Sequence, residues 1–269
     1  KKPRFSFYTP GRVCAAFIHD SSAAASKWVY SHEYGRHILE NFTDGQVRTL
    51  SYENVRTDGE VDQAVEDAVR RGANVIFTTT PKLLLSSVRQ AALHPDVKIL
   101  NCSLNTSYPS VRTYYPRLYG AKFIKGAIAG TLTRDGCIGY VAGYPTYGSI
   151  ASINAFAQGA RMVNANARIY LDWAHLRDGG AVGRLQAQGI VYIDYLDRLA
   201  ASTGTQMGNR HNLALIQTHW GRLYQSLVRR VMEGSWKQED QGSSAVNYWW
   251  GMEQGVVSVL CSRRLPTGP

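Results

Sequence analysis

The amino-acid sequence predicts an α/β fold made of two Rossmann-like lobes, each with a parallel sheet. The first observation is an alternation of amphipathic helical runs with short apolar segments of the kind that form buried parallel strands. Residues 111–173 show it most clearly and read as strand, helix, strand, helix, strand. The second observation is the length of 269 residues, which favours two domains over one. In sheets wound by right-handed crossovers, ligands lie beyond the carboxyl ends of the strands.

The first lobe is predicted from the residues before position 105, where four strands alternate with three helices. One helix begins at Lys27 and ends near Glu40. A second is capped by Asp58 and closed by Gly72, and a third follows Pro81. The predicted strands cover residues 12–18, 47–53, 74–78 and 97–102.

The second lobe is predicted from a helix that Pro116 opens, whose apolar residues recur at helical spacing as far as Ile128. A further helix at 150–163 follows. The predicted strands cover residues 136–144, 167–173, 189–194 and 213–217. Near the end of the sequence, an amphipathic helix at 221–233 is expected to pack on the first lobe. Residues 248–261, including an apolar helix at 252–261, are expected to pack on the second.

Composition narrows the class of protein. No apolar run approaches the ~18 residues that span a membrane. The formal net charge is +10 at pH 7, but the basic residues are scattered and form no nucleic-acid-binding motif, so a solvated basic surface is the simpler interpretation. Buried free thiols are expected at the four cysteines, which form no CxxC pair: Cys14, Cys102, Cys137 and Cys261. Because the sequence begins at Lys1 and stops soon after a predicted helix, we expect a fragment of a longer protein.

Catalytic motifs are missing from the sequence. It contains no nucleophile elbow, phosphate-binding loop or HExxH helix, and its histidines lack metal-ligand spacing. We therefore expect a binding protein without catalytic residues, cofactor or metal, and an enzyme such as a nucleoside hydrolase is the least favoured hypothesis. Two functions fit better: a ligand-binding module whose cleft closes on its ligand, or a regulatory domain that uses the same fold as a sensor.

Eight segments carry a family resemblance, and they follow one another along nearly the whole chain. They are RGANVIFTTT, ALHPDVKILNCS, YYPRLYGAKFIKGAIAG, CIGYVAGYP, INAFAQGARMVN, RIYLDW, HWGRLYQSLVRRVMEGSWK and NYWWGMEQGVV. Together they resemble the basic-membrane-protein family, the purine-nucleoside-receptor-like substrate-binding proteins of ABC transporters.

The resemblance implies a type I periplasmic-binding-protein-like fold, with two lobes joined by three crossing strands and a nucleobase or nucleoside held in the cleft. It places the first lobe at residues 10–107 and 216–240, and a shortened second lobe at 108–215 and 245–262. The implied partner is an ABC permease, with no nucleic acid and no membrane span in this chain. The implied location is the outer face of the plasma membrane as a lipoprotein, whereas a sensor domain would be cytoplasmic.

Three departures from the family pattern bear on the ligand. The strand-helix unit that the family usually has between Trp173 and Ile190 is not recognisable here. Residues 117–119 (Arg-Leu-Tyr) stand where nucleoside receptors tend to carry an acidic ribose contact, and Tyr195 replaces a glycine that the family has two residues before Asp197. The second departure argues against ribose recognition, so we expect a free base to bind at least as well as its nucleoside.

The candidate site lies at the carboxyl ends of the first and third strands. If the first strand lies between the second and third, Asp20 and Trp28 face Thr79 and Thr80 across the switch point of the sheet. The resemblance implies that Trp28 stacks on the base, and the alternative is that it packs in the interior. Asp20 is a candidate acceptor for ligand N–H groups or, alternatively, a helix cap.

The other candidates extend the site into both lobes. Trp173 and Tyr144 are possible second stacking faces, with core packing as the alternative, and Asp197 is a second candidate acceptor. Asn101 could contact the ligand or only satisfy backbone groups. The predicted ligand-binding residues are Asp20, Trp28, Thr79, Thr80, Asn101, Tyr115, Tyr144, Trp173, Asp197 and Trp220.

Overall fold

The computed structural model describes residues 13–43, 45–104, 108–143, 147–174, 180–195, 198–202, 210–236 and 246–265. These residues form two compact units, each assembled from two separate stretches of chain. Unit 1 takes its residues from Lys1–Tyr115 and His219–Trp250, and unit 2 from Pro116–Thr218 and Gly251–Pro269. The chain therefore passes from one unit to the other three times.

Twelve strands and seven α-helices lie in the part of the chain that the structure describes. The strands are β1 (Val13–Ile18), β2 (Val47–Tyr52), β3 (Val75–Thr78), β4 (Lys98–Cys102), β5 (Arg112–Pro116), β6 (Cys137–Ala142), β7 (Arg168–Trp173), β8 (Tyr192–Tyr195), β9 (Arg198–Ser202), β10 (Arg210–Thr218), β11 (Asn247–Trp250) and β12 (Val257–Cys261). The helices are α1 (Lys27–Phe42), α2 (Asp58–Arg70), α3 (Leu84–Leu93), α4 (Tyr119–Leu132), α5 (Tyr147–Val163), α6 (Ala181–Ala187) and α7 (Trp220–Met232), and a 3-10 turn at Pro81–Leu83 precedes α3.

The sheet of unit 1 has the order β11-β5-β4-β3-β1-β2. β1 lies between β2 and β3 and is parallel to both, which is the order that the candidate site requires. Every residue of β1 and β3 is buried, which accounts for their mainly apolar sequences, because a parallel strand covered on both faces has no polar side. The carboxyl ends of β1, β3, β4 and β5 therefore lie along one edge of the sheet.

The first helix of unit 1 begins where the sequence predicted, but the cap of the second, α2, lies one residue earlier than expected. The side chain of Ser26 accepts a hydrogen bond from the backbone of Val29 and starts α1. α2 is capped by Thr57 in a reciprocal capping box with Glu60. The expectation that Asp58 caps this helix was therefore wrong by one residue, since Asp58 is the first helical residue.

α1 and α7 pack closely because glycine lies at their contact. A Cβ atom added to Gly35 would lie 2.5 Å from the Cβ of Trp220, and one added to Gly221 would lie 2.5 Å from the Cγ2 of Ile38. α7 thus belongs to unit 1, as predicted, and this close approach brings Trp220 against the first half of α1.

The sheet of unit 2 is mixed rather than wholly parallel, with the order β12-β10-β9-β8-β6-β7. β6 is parallel to β7 and β8, but β9 runs antiparallel to both β8 and β10, and β12 is antiparallel to β10. The prediction of a parallel sheet holds for only three of these strands. The strands β8, β9 and β10 follow one another in sequence and pair antiparallel, so they need no helical crossover, whereas β12 joins β10 from a later stretch of chain.

Residues 252–261 were wrongly predicted to form an apolar helix. They form a turn followed by β12, whose five residues pair with Ala214–Thr218 of β10. Gly255 has a φ of 68°, a left-handed conformation that interrupts any helix, and the following residues are rich in valine. The segment still belongs to unit 2, but as an edge strand.

Two further segments lie in a different unit from the one expected. β5, at 112–116, pairs with β4 in the sheet of unit 1, although residues from 108 onward were assigned to the second lobe. β11, also expected in the second lobe, extends the same sheet next to β5. Pro116 accordingly ends a strand instead of opening a helix, and α4 begins three residues later. Residues 175–179 lie outside the described part of the chain, and α6 follows them.

α4 and α5 form the closest helix contact of unit 2. A Cβ atom added to Gly126 would lie 2.0 Å from the carbonyl oxygen of Phe156, and one added to Gly159 would lie 1.9 Å from that of Phe123. Backbone atoms cannot withdraw as a flexible side chain can, so any larger residue at these positions must separate the helices.

We predict that Gly126→Ala lowers the free energy of unfolding by at least about 2 kcal/mol, although alanine is the better helix former. The matched control is Gly183→Ala in α6, where an added Cβ would meet no atom within 4 Å. That variant should be neutral or slightly stabilised. Urea denaturation of both variants provides the measurement, and equal stabilities would contradict the packing account.

Candidate functional site

The indole of Trp28 is anchored at the carboxyl edge of the unit 1 sheet. Its Nε1 donates a hydrogen bond of 2.8 Å to the backbone oxygen of Thr79, the residue that follows β3. The residue is nevertheless 36% exposed. Trp28 therefore combines a fixed indole orientation with an accessible surface, as a stacking platform requires.

Thr79 is itself held by a buried polar network. The Nδ1 of His19 lies 2.8 Å from the hydroxyl of Thr79, and that hydroxyl also lies 3.2 Å from the backbone oxygen of Ile18. The Nε2 of His19 is 2.9 Å from the carboxylate of Glu33, to which Arg36 donates three hydrogen bonds. The loop after β3, and with it the acceptor for Trp28, is thus connected to the second turn of α1.

Glu33 stays ionised in this network. Burial alone would raise the pKa of its carboxyl group, but hydrogen bonds from His19, Arg36 and Ser51 and the charge of Arg36 outweigh that effect and lower the pKa to about 2. Its carboxylate therefore remains a charged acceptor well into the acid range, and the network keeps its geometry there.

An aromatic cluster packs against Trp28. The ring of His32 stacks on that of Trp220 with centroids 3.9 Å apart, and it lies edge-to-face with Trp28 at 4.7 Å. Trp220 is also edge-to-face with Trp28 at 5.4 Å, and its Nε1 donates to the hydroxyl of Ser31. The ring of Tyr115 lies 6.3 Å from that of Trp28. Two of the predicted residues, Tyr115 and Trp220, are thus direct neighbours of the platform.

Asn101 and Thr80 form the neighbouring part of the carboxyl edge of the unit 1 sheet. The side-chain amide nitrogen of Asn101 donates to the hydroxyl of Thr78 at 2.8 Å and to the backbone oxygen of Thr80 at 2.9 Å. The Oδ1 atom of Asn101 is buried and makes no hydrogen bond among the described residues. The amide nitrogen of Asn101 therefore satisfies a backbone group, as one alternative held. Its Oδ1 acceptor takes no part in that contact.

Asp20 is paired with a cation in this structure. Its Oδ2 atom accepts a hydrogen bond of 3.0 Å from the ammonium group of Lys82, in the 3-10 turn that Thr80 caps. Because Ser26 caps α1, the alternative that Asp20 is the helix cap was wrong. The pair places a carboxylate and an ammonium group at the carboxyl edge of the unit 1 sheet, in the segments that follow β1 and β3.

Unit 2 contains a buried charge cluster that sequence reasoning missed. The ammonium group of Lys122 lies 2.7 Å from the carboxylate of Asp194, which also contacts the ammonium group of Lys125. Asp194 and Lys125 are fully buried, and Lys122 lies 5.1 Å from the ring centre of Tyr140. The available signal was two lysines, three residues apart, among the alanines and glycines of α4. Ionised groups withdrawn from water must be paired, so this cluster ties α4 to the end of β8.

The predicted residues of unit 2 do not form a described group. Trp173 is partly buried against the hydrophobic cluster around Phe156 and Tyr140, which agrees with the core-packing alternative. The residue before it on β7 is Asp172, whose Oδ2 atom lies 2.8 Å from the Nε atom of Arg184. Tyr144 and Asp197 lie outside the described residues.

Residues 117–119 carry no carboxylate of their own. Leu118 precedes α4 and makes no side-chain capping bond, and Arg117 pairs with Glu253 at 3.6 Å. Among the described residues, no group of three or more His, Cys, Asp or Glu side chains is arranged to hold a metal ion. No helix within the described ranges is long and apolar enough to cross a membrane.

The fold and its comparisons define a class of protein. Two α/β units threaded by three passages of the chain are the architecture of type I periplasmic-binding proteins. An ABC transporter solute-binding protein from Conexibacter woesei has the same fold, with a TM-score of 0.69 over 95% of this chain and 91% of that chain at 13% identity. The chain belongs to the Bmp family, the PnrA-like substrate-binding proteins of ABC transporters, whose family model matches residues 12–204. This is a family of solute-binding proteins, not of enzymes.

Two relatives show the range of named ligands. A purine-binding protein of Brucella abortus is 25% identical over 95% of this chain and 77% of its own length. A Haloferax volcanii protein, provisionally named an ABC transporter glucose-binding protein, is 24% identical over 91% of this chain and 66% of its own length.

The Glu33 network yields a prediction about how the free energy of unfolding depends on pH. The folded-state pKa of Glu33 lies below its ordinary value of 4.5, so the carboxylate stabilises the fold above pH 4.5, and this contribution is lost as the pH falls towards 2. We predict that Glu33→Gln lowers the free energy of unfolding by about 2–3 kcal/mol at pH 7. The difference from the wild type should shrink between pH 4.5 and pH 2.

Urea denaturation at a series of pH values measures this difference. The control is Glu66→Gln, the same change at an exposed carboxylate that pairs with His94, and it should change stability by less than about 0.5 kcal/mol. A Glu33→Gln deficit that is the same at pH 7 and pH 2.5 would show that the lost charge is not its cause.

Proposed function

We propose that this chain is a solute-binding protein that holds a free purine base on Trp28 for uptake by an ABC transporter. The observation that carries the proposal is the anchored and partly exposed indole of Trp28 at the carboxyl edge of the sheet. A flat ring stacked on such a surface contributes about 1–3 kcal/mol, and the ring need not carry a charge. Membership of the substrate-binding family and the Brucella purine-binding relative support this ligand class.

The polar groups around Trp28 suit the edge of a base. Asn101 offers an acceptor atom without a partner among the described residues, and Asp20 and Lys82 offer a carboxylate and an ammonium group. A purine edge carries both N–H donors and ring-nitrogen acceptors, so it can use all three groups. We propose Asn101 and Asp20 as base-edge contacts, with Thr79 and Thr80 holding the edge in place. Asp197 and Tyr144 remain the proposed contributors from unit 2.

The proposal favours a base over a nucleoside. Residues 117–119 have no carboxylate to accept hydrogen bonds from ribose hydroxyls. Each buried hydroxyl that lacks a partner costs roughly 1–3 kcal/mol, which offsets the extra surface that the sugar buries. The free base should therefore bind at least as tightly as its nucleoside.

Isothermal titration calorimetry with adenine, guanine, adenosine, guanosine and glucose tests the ligand class. We predict that at least one base binds at micromolar concentration and that no nucleoside binds more than tenfold tighter than its base. Nucleosides that bind more than tenfold tighter would show that other residues recognise ribose. If glucose binds and no purine does, the proposed purine ligand is wrong and only the solute-binding role survives.

The same titrations with Trp28→Ala test the stacking surface. Loss of one stacking face should weaken base binding at least tenfold, equivalent to about 1.4 kcal/mol. Tyr30→Ala is the matched control, because Tyr30 lies on the same helix and is 62% exposed. It should leave affinity within about twofold. An unchanged affinity in a folded Trp28→Ala protein would assign Trp28 to packing.

A further inference from the structure

His32 is a buried polar residue next to the stacking platform, and the proposed function does not use it. Its side chain is 0% exposed, stacked on Trp220 and in edge contact with Trp28. One ring nitrogen, Nδ1, contacts the hydroxyl of Tyr224. The other, Nε2, has no hydrogen-bond partner among the described residues. A buried polar atom without a partner is uncommon in folded proteins and calls for a physical explanation.

The hydroxyl of Tyr224 assigns the proton on His32. It contacts Nδ1 of His32, and the described residues give its proton no other hydrogen-bond acceptor. The neighbouring Tyr114 directs its own proton to the backbone oxygen of Thr78, at 3.4 Å. A proton on Nδ1 would leave the buried Tyr224 proton without an acceptor, so we assign the Tyr224 proton to the bond with Nδ1.

The imidazole is neutral in this position. Burial lowers the pKa of His32 well below its ordinary value, and the nearby His19 lowers it further, while Glu33 opposes them weakly. A neutral imidazole that accepts at Nδ1 carries its single proton at Nε2. His32 thus holds a buried N–H donor beside Trp28 that no acceptor among the described residues fills.

We propose that the Nε2–H of His32 donates a hydrogen bond to an acceptor atom of the ring stacked on Trp28, directly or through one bound water. This inference rests on the proposed function and makes it more specific, because it requires a base with an unprotonated ring nitrogen at the edge that faces His32. In adenine, N1, N3 and N7 are such acceptors. A site with a buried donor discriminates strongly against a ligand that lacks the matching acceptor.

Deaza analogues test this directly, because they replace one ring nitrogen by C–H and keep the flat shape. Adenine and its 1-deaza, 3-deaza and 7-deaza analogues are titrated into the wild type and into His32→Phe, which keeps an aromatic ring against Trp220. The wild type should bind one of the three analogues at least tenfold more weakly than adenine. In His32→Phe that ratio should fall below about threefold. His37→Phe, the same change at an exposed position of α1, should keep the wild-type ratio.

The outcomes separate a ligand contact from a packing role. If His32→Phe weakens all four ligands equally and the ratio persists, His32 only packs and the inference is overturned. A wild type that binds all four ligands equally overturns it as well, while the purine assignment survives. If no base binds the wild type, the proposed function fails and the inference fails with it. Should His32→Phe not fold, His32→Gln keeps an N–H donor and should retain discrimination, whereas His32→Leu should lose it.

Discussion

The hydrogen bond from Trp28 Nε1 to the backbone oxygen of Thr79 is the constraint on which the candidate site depends. It joins the first turn of α1, the helix that follows β1, to the residue after β3. Because β1 and β3 are adjacent parallel strands, both segments lie at the same edge of the sheet. The bond satisfies both a backbone acceptor and the one polar atom of the indole, so the remaining ring surface is left for apolar contact. A tryptophan without this bond could turn into the interior, as the neighbouring Trp220 does.

The surroundings of this bond explain why the acceptor does not move. Thr79 is fixed through its hydroxyl by His19, and His19 is fixed by Glu33. The close approach of α1 and α7 at Gly35 leaves no gap between Trp220 and the helix that carries Trp28. Charged and aromatic contacts thus hold the platform from two sides. Rigid support of this kind reduces the ordering cost that a ligand would otherwise meet on binding.

Much of unit 1 could be predicted because its signals are local. Mainly apolar runs marked β1 and β3 as central strands, and helical periodicity with caps marked α1 and α2 within two residues of their observed bounds. The errors involve contacts between distant parts of the sequence. Nothing local in 112–116 or 247–250 distinguishes a strand of unit 1 from one of unit 2, since pairing partners decide it. Residues 252–261 are apolar enough for either structure, and the left-handed Gly255 decided against a helix.

The candidate site shows the same division. Thr79 and Asn101 were found because they lie at strand ends, a position that is readable from sequence. Trp28 was found because it starts the helix after the first strand, where the family resemblance implies a stacking aromatic. His32 and Glu33 were not chosen, although they lie one turn beyond Trp28 on α1, because the histidines lack metal-ligand spacing and no local motif marks Glu33. Only the approach of α7, some 190 positions along the sequence, buries His32. The lysines of α4 were missed for a similar reason, since their partner Asp194 is brought to them by the fold of unit 2.

The most direct test of this account is a crystal structure of the protein grown with adenine. The account predicts the base ring stacked parallel to the indole of Trp28 at about 3.5 Å, the contact distance of carbon atoms. The bond from Nε1 to Thr79 should persist, with the base edge turned towards Asn101 and His32. A base bound elsewhere, or an indole that has left Thr79 to make room for it, would contradict the claim that Trp28 is the fixed surface of the site.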